Sequence, residues 1–184
     1  MAQATLTTDR LILRPLQQAD APAIQRHFGR WEIIQHLSTQ VPWPYPDDGA
    51  ETFLRDVMLP AMAAGTTMVW VLVPREGPDE AIGLIEYRCD PTEDDDRGFW
   101  LATEYQGRGL MTEAVTAFQD HVFFELGVEQ LLVHNSVVNQ PSHRIKEKTG
   151  AVYVGRVQIS HHHGGSETER WVVTRERWTE IRRG

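Results

Sequence analysis

The chain has 184 residues, 41% of them hydrophobic, and a formal net charge of −8 at pH 7. This length predicts a single domain, 1–184, and the acidic balance argues against a general nucleic-acid binder, which needs basic surface to displace counterions. The sequence has no apolar run of about 18 residues for a membrane span, no secretory signal pattern and only one cysteine, Cys89, which excludes an intrachain disulfide. We therefore expect a cytoplasmic protein without membrane or nucleic-acid partners.

In the first half of the chain, apolar runs alternate with helix-start signals. Strands are predicted at 11–13, 68–73, 81–88 and 97–102. A helix is predicted to begin after Asp20, which would be its N-cap, with Pro22 in the first turn. A second helix should run from Asp47-Asp48 to Gly65. Between these helices, the three prolines of 41–46 exclude both a helix and a central strand.

The second half of the chain contains the most regular helical pattern. A helix is predicted over 110–126, and its apolar stripe is Met111, Val115, Phe118, Val122 and Leu126. A strand at 130–137, a short helix at 141–149 and a hairpin of 153–160 with 169–174 follow. The predicted fold is α/β of the α+β type, a mixed and mostly antiparallel sheet flanked by helices.

The stretch 106–113, Gln-Gly-Arg-Gly-Leu-Met-Thr-Glu, is the most informative part of the sequence because two glycines separate a strand end from a helix start. Such a turn presents backbone N–H groups at the positive end of the helix dipole. Gly107 and Gly109 lack Cβ, so an anion can approach closely. The spacing fits neither a P-loop nor a dinucleotide-binding fingerprint. The pattern therefore predicts a phosphate or pyrophosphate site, with a plain tight turn as the alternative.

A second segment, Asn139-Gln140-Pro141-Ser142, opens the short predicted helix that ends at Lys148-Thr149-Gly150. With 106–113 and the early run 8–15, it resembles the motifs of the GNAT superfamily of N-acetyltransferases. The closest resemblance is to the RimJ/RimL-like branch, which acetylates N-terminal amines of ribosomal proteins. The resemblance covers about residues 6–178 and has one departure, because Met111 stands where the loop motif ends in Gly or Ala.

The resemblance implies acetyl-CoA as co-substrate and no metal. The pyrophosphate would contact Gln106, Gly107, Arg108, Gly109, Leu110, Met111 and Thr112. The pantetheine arm would pair with the backbone of Leu101, Ala102 and Thr103 and with Asn139. Ser142 would bind the cofactor near its sulfur and donate a hydrogen bond to the departing thiolate. From the residues alone, Asn139 could equally be a turn residue before Pro141, and Ser142 a first-turn helix residue.

The acceptor amine must be neutral to attack, which calls for a carboxylate or histidine base. Asp96 aligns with an acidic residue that relatives carry at the start of this strand, although it could instead end a solvated acidic turn, 93–96. Glu86 and His134 are competing bases, and Glu86 would also contact the substrate. Trp43 and Tyr45 would line the acceptor site, or else anchor their loop on the core. The three consecutive histidines 161–163 point in different directions, so no metal site is expected there.

The sequence thus predicts an acetyl-CoA-dependent N-acetyltransferase that acts by direct attack of a primary amine on the thioester. The preferred acceptor is an N-terminal α-amine of a protein or peptide. Two alternatives stay open: a small amine such as a polyamine, an amino acid or an antibiotic, and a non-catalytic acyl-CoA-binding module. Because relatives often dimerise, the resemblance also allows a homodimer.

Overall fold

The computed structural model describes residues 3–89 and 95–184. The strands are β1 (Leu6–Thr7), β2 (Leu11–Pro15), β3 (Thr67–Pro74), β4 (Gly83–Arg88), β5 (Arg97–Leu101), β6 (Gln130–Ser136), β7 (Val152–Gln158) and β8 (Glu167–Thr174). The helices are α1 (Ala21–Phe28), α2 (Trp31–Ile34), α3 (Gly49–Phe53), α4 (Leu59–Ala64), α5 (Leu110–Asp120), α6 (Gln140–Lys148) and α7 (Arg175–Arg183). No helix in these two ranges is both long and apolar enough to cross a membrane.

The strands form two antiparallel sheets. The first has the order β1-β2-β3-β4-β5, and the second has the order β6-β8-β7. The helix α5 connects β5 to β6, which are edge strands of the two sheets. The mixed α/β architecture, with antiparallel sheets flanked by helices, confirms the predicted fold class.

The first sheet packs against an apolar cluster on each face, and its central strand, β3, contributes side chains to both clusters. Side chains alternate along a strand, so Val69 and Val71 belong to the cluster under α1 and α3. Trp70 and Leu72 belong to the opposite cluster, which includes the stripe of α5. Phe118 in that stripe is fully buried, and its ring lies 5.9 Å from the Trp70 ring in an edge-on arrangement. The cluster that contains Trp70 and Phe118 therefore fixes α5, and with it the turn before α5, against the sheet.

The helices differ from the expectations in three details. Asp20 occupies the predicted N-cap position of α1, but its side chain does not cap the helix, since its carboxylate oxygens accept hydrogen bonds from the Arg14 guanidinium at 2.9 and 2.6 Å. The main helix does not stay α-helical to residue 126 but widens into a π turn at His121–Glu125. The extra residue in a π turn rotates the following side chains, so Leu126 is exposed whereas Phe123 is buried. The helix α7, whose residues are mostly charged, was not predicted.

Candidate active site

The two sheets are joined at one end of β5. The Asp96 N–H donates to the Leu132 carbonyl over 2.8 Å, and the Leu132 N–H donates to Asp96 Oδ2 over 2.6 Å. Beyond this junction, β5 pairs with β4 alone among the described strands. The other edge of β5 is therefore open near Phe99 and Leu101, and a cavity of about 460 Å³ lies beside it.

The glycine turn closes one end of this cavity. After β5, a 3₁₀ turn at Thr103–Tyr105 leads to Gly107 and Gly109, which have φ of +74° and +77°. Left-handed backbone of this kind strongly favours glycine. It lets α5 start abruptly at Leu110, so that the N–H groups of its first turn have no intrahelical acceptors. The turn therefore provides backbone donors and the positive end of the helix dipole at the cavity wall.

A set of polar contacts braces this turn against the start of the chain. Glu113 Oε1 accepts hydrogen bonds from Thr8 Oγ1 at 2.6 Å and from the Arg10 N–H at 2.9 Å, while Arg10 Nε donates to Glu113 Oε2 at 2.7 Å. Arg10 Nη1 also donates to the Arg108 carbonyl at 2.8 Å. Burial acts to raise the pKa of Glu113, but the hydrogen bonds from Thr8 and Arg10 outweigh it and lower the pKa. An ionised Glu113 thus ties the turn between β1 and β2 to the first turn of α5, and Arg10 links the same turn to Arg108.

The opposite wall of the cavity is the start of α6. Asn139 is the N-cap, and its Oδ1 accepts the Ser142 N–H at 3.2 Å. This bond leaves the two N–H donors of the Asn139 amide for other partners. Ser142 is 7% exposed, and its Oγ accepts a hydrogen bond from Lys146 Nζ over 3.0 Å. The capping role and the predicted cofactor contact of Asn139 are therefore compatible, since a capping residue can also present donors to a ligand.

The cavity brings together most of the predicted cofactor residues. Those that line it are Leu101, Gln106, Gly107, Gly109, Leu110, Met111, Thr112, Asn139 and Ser142. Two segments far apart in the sequence therefore meet at one concave site, whose volume is within the range of small-molecule pockets.

Three other predicted cofactor residues do not line the cavity. The Ala102 N–H donates to the Ile82 carbonyl at 2.8 Å, so it is engaged in the sheet. Because backbone groups alternate along a strand, Leu101 faces the open edge, where its carbonyl accepts a hydrogen bond from Gln106 Nε2 at 2.8 Å. Thr103 Oγ1 accepts a hydrogen bond from Arg30 at 3.2 Å. The Arg108 guanidinium stacks 5.8 Å from the centre of the Tyr105 ring.

A third wall was not anticipated from the sequence. It consists of α2 and the residues after it: Glu32, Ile33, His36 and Leu37. Burial, with smaller contributions from His163 and His161, lowers the pKa of His36. His36 Nδ1 is buried and has no hydrogen-bond partner among residues 3–89 and 95–184. The segment is tied to the β7–β8 hairpin, since the His163 N–H donates to the Gln35 carbonyl at 3.1 Å.

The predicted bases lie away from the cavity lining. The Asp96 carboxylate serves the β5–β6 junction described above. Glu86 accepts hydrogen bonds from Thr67 Oγ1 at 3.2 Å and from Arg88 at 2.9 Å. The His134 N–H donates to Asp95 Oδ1 at 3.2 Å. Of the proposed acidic turn, Glu93 and Asp94 lie outside the described residues.

Tyr45 and Trp43, the two aromatic residues predicted to line the acceptor site, also lie away from the cavity lining. The Tyr45 ring packs edge-on against Phe28 at 5.2 Å and against the positions of Gly29 and Gly49, so it anchors its loop on the core. Trp43 is 41% exposed and lies 5.2 Å from the Trp31 ring, on the surface next to α2. Within the described ranges, no group of three or more His, Cys, Asp or Glu side chains could hold a metal ion.

Comparisons with known proteins agree with this architecture. A family model described as Acetyltransferase (GNAT) domain matches residues 10–152, most of the chain. A 61-residue segment is 28% identical to "Putative ribosomal N-acetyltransferase YdaF" of Bacillus subtilis (strain 168) and covers 33% of each protein. The match thus spans only about a third of that relative.

Two solved structures share the fold over nearly their full length. Ribosomal-protein-S5-alanine acetyltransferase from Vibrio fischeri has a TM-score of 0.79 at 17% identity, covering 96% of this chain and 99% of that chain. Spermidine N-acetyltransferase from Vibrio cholerae, solved with CoA and spermine, has a TM-score of 0.76 at 18% identity, covering 94% and 99%. At these identities the likeness concerns the fold alone, whereas the family model bears on the chemistry as well. By that match, the chain belongs to the GNAT acetyltransferase family, whose members use acetyl-CoA, and is an N-acetyltransferase.

Proposed function

We propose that this protein transfers the acetyl group of acetyl-CoA to the N-terminal α-amine of a protein or peptide by direct attack on the thioester. The observation that carries the proposal is the convergence of the glycine turn and the start of α6 on one cavity. The donors at the start of α5 suit a pyrophosphate. The open edge of β5 suits the amide groups of an extended pantetheine arm, which could pair with it as a strand would.

The thioester would then lie between Leu101 and Ser142. The Leu101 N–H points to the open edge of β5 and would stabilise the oxyanion as the amine adds to the carbonyl. Ser142 Oγ would donate a hydrogen bond to the sulfur as the carbon–sulfur bond breaks. Thr103 and Ala102 would hold this end of β5 in place rather than contact the reacting atoms.

The acceptor must lose a proton, and His36, which lines the cavity, would receive it. Its lowered pKa keeps the imidazole neutral near pH 7, and its Nδ1 is buried beside the cavity. We therefore assign the base to His36 in preference to Asp96, Glu86 and His134, whose contacts described above lie within and between the sheets. An α-amine, with a pKa of about 8, needs much less assistance than an alkylamine with a pKa of about 10.4.

A small polyamine is the second candidate acceptor. It is supported by the fold shared with a spermidine N-acetyltransferase and by Glu32 on the cavity wall, where a carboxylate would attract an ammonium group. The S5-alanine acetyltransferase and the ribosomal relative favour the protein N-terminus. Exposed Trp43, next to α2, provides surface on which a peptide could rest.

A thiol-release assay with acetyl-CoA distinguishes these candidates. The panel contains peptides that begin with Ala, Ser or Met, the same peptides with a blocked N-terminus, spermidine, spermine and free amino acids. We expect release with free peptides and none with blocked ones, and mass spectrometry should locate the acetyl group on the α-amine. Turnover of spermidine alone would support the second candidate. Calorimetric binding of CoA without turnover of any amine would indicate a non-catalytic acyl-CoA-binding module.

A further inference from the structure

A buried lysine lies directly behind Ser142. Lys146 follows Ser142 by one helical turn and is only 1% exposed. Its Nζ lies 3.0 Å from Ser142 Oγ and 5.7 Å from the centre of the Phe99 ring. Among the described residues, no carboxylate forms an ion pair with it. Because burying a cation without a counter-ion is costly, this position points to a role other than stability.

A second buried cation lies beside the same ring. Arg97 is 3% exposed, and its guanidinium lies 5.6 Å from the centre of the Phe99 ring. Its Nη1 donates to Gln119 Oε1 at 2.8 Å, while Nε and Nη2 have no hydrogen-bond partner within the described chain. Arg97 therefore makes it harder for Lys146 to keep a positive charge.

The hydrogen bond between Lys146 and Ser142 fixes the direction of the serine proton. In its protonated form Lys146 has only donors, so Ser142 Oγ is then the acceptor. The single hydrogen of Ser142 must then point away from Lys146. Since Ser142 lines the cavity and Lys146 does not, that hydrogen is available to a group in the cavity.

We infer that Lys146 is a positioning residue that turns the Ser142 hydroxyl towards the thioester sulfur and resupplies its proton. The inference rests on the proposed function. As the carbon–nitrogen bond forms and the carbon–sulfur bond breaks, the electron pair of the latter passes to sulfur. Sulfur takes the Ser142 proton, Ser142 Oγ takes one from Lys146 Nζ, and Lys146 regains one from water. The surplus proton of the amine leaves through His36, so the products are the amide and neutral CoA thiol.

The charges around Lys146 suit a group that gives up a proton near neutral pH. Burial and then Arg97 lower the pKa of Lys146 to about 7, whereas Asp95 and Glu169 oppose the shift. Arg97 lies on β5, Asp95 precedes that strand, and Glu169 lies on β8, where His143 Nδ1 is 2.8 Å from its carboxylate. Because the proposed relay needs protonated Lys146, its contribution is present below this pKa and is lost as the pH rises above about 7.

The test combines kinetics with a direct titration of the lysine. Lys146→Met, Ser142→Ala and the double variant are compared from pH 6 to 9. Lys146→Met should lower kcat on the order of 10-fold, less than the roughly 100-fold or more typical of acid–base assistance, because a thiolate leaves well. It should change KM for acetyl-CoA less than about twofold and abolish the alkaline decline of kcat. The double variant should be no slower than Ser142→Ala, since both changes interrupt one path.

The chain has only two lysines, Lys146 and Lys148, so NMR of ¹³C-labelled lysine resolves their titrations, and Lys146→Met assigns them. A Lys146 titration near pH 7 supports the inference. An ordinary titration near pH 10, an unchanged kcat in Lys146→Met or fully multiplicative losses in the double variant would each overturn it. Circular dichroism confirms that each variant is folded. If the wild-type protein turns over no amine, the proposed function fails, and the titration still tests the lysine separately.

Discussion

The brace around Glu113 gives a prediction whose size can be worked out from the contacts. In Glu113→Gln, the amide oxygen can still accept from Thr8 and the Arg10 N–H, but an NH₂ group then faces the donors of the Arg10 guanidinium. A charge-assisted hydrogen bond is worth about 1.5–3 kcal/mol. Since the Arg10 side chain is 50% exposed, we reduce this to about 1–2 kcal/mol. Loss of a carboxylate near the α5 N-terminus adds roughly 0.3–1 kcal/mol.

The expected loss is therefore about 2 kcal/mol, or a fall in Tm of roughly 4–8 °C for a chain of this size. Urea unfolding should measure it, with Glu125→Gln as the matched control: an exposed glutamate at the end of the same helical run. The control should change stability by less than about 0.5 kcal/mol. Equal unfolding midpoints for the two variants would refute the brace.

The same comparison has a defined pH dependence. The pKa of Glu113 is lower in the folded state than in the unfolded chain. Its ionised form therefore adds stability that is fully present above the unfolded pKa, about 4.3, and is lost as the pH falls through the folded pKa. The stability gap between wild type and Glu113→Gln should be widest near pH 7 and should close below about pH 4. A gap that stays constant over this range would show that the charge of Glu113 does not contribute.

Six further substitutions test the rest of the site. Gly109→Ala and Gly127→Ala both place a side chain at φ of more than +70° and should each cost about 1–2 kcal/mol, but calorimetry should show weaker CoA binding for Gly109→Ala alone. Asn139→Asp keeps the cap acceptor but not the amide donors, so CoA affinity should fall while Tm holds; Asn139→Ala should lose both, with about 1 kcal/mol for the cap. His36→Gln should lower kcat about 100-fold in the thiol-release assay. Asp96→Asn keeps an acceptor for the Leu132 N–H, so turnover should continue with an unchanged pH profile, and a 100-fold loss would return the base to Asp96.

The glycine turn and the start of α6 could be predicted because their signals are local. Two glycines within three residues, followed by an apolar helix, specify a backbone shape almost regardless of the rest of the fold. The Asn139 cap lies only three residues from the N–H that it accepts. The strands of the first sheet were predictable for the same reason, since alternation and apolar runs reflect burial along each strand.

The two residues with the strongest new roles could not be found in this way. His36 reaches the cavity only because α2 packs against the β7–β8 hairpin, a contact between segments more than 100 residues apart. The sequence indicates only weakly that Lys146 lies near Ser142, since a residue four positions later lies on the same helix face. Its burial depends on Phe99 and Arg97 of β5, and no pattern within α6 reveals them. Helix periodicity alone would assign a lysine to the exposed face.

The position of Asp96 shows why the site forms where it does. Its N–H and its carboxylate both bind Leu132, so β5 and β6 are joined at one end. From Asp96 to Leu101 the strand advances roughly 17 Å, and over this length β6 does not pair with β5. In a sheet that binds no ligand, such an unpaired edge would favour pairing with another chain. Here the glycine turn and α6 enclose it, and under the proposed function the backbone groups that β6 leaves open would pair with an extended substrate. The architecture that creates the cavity therefore explains why Asp96 stands at this junction. Asp96, which the sequence suggested as a base, marks the point from which the cavity opens.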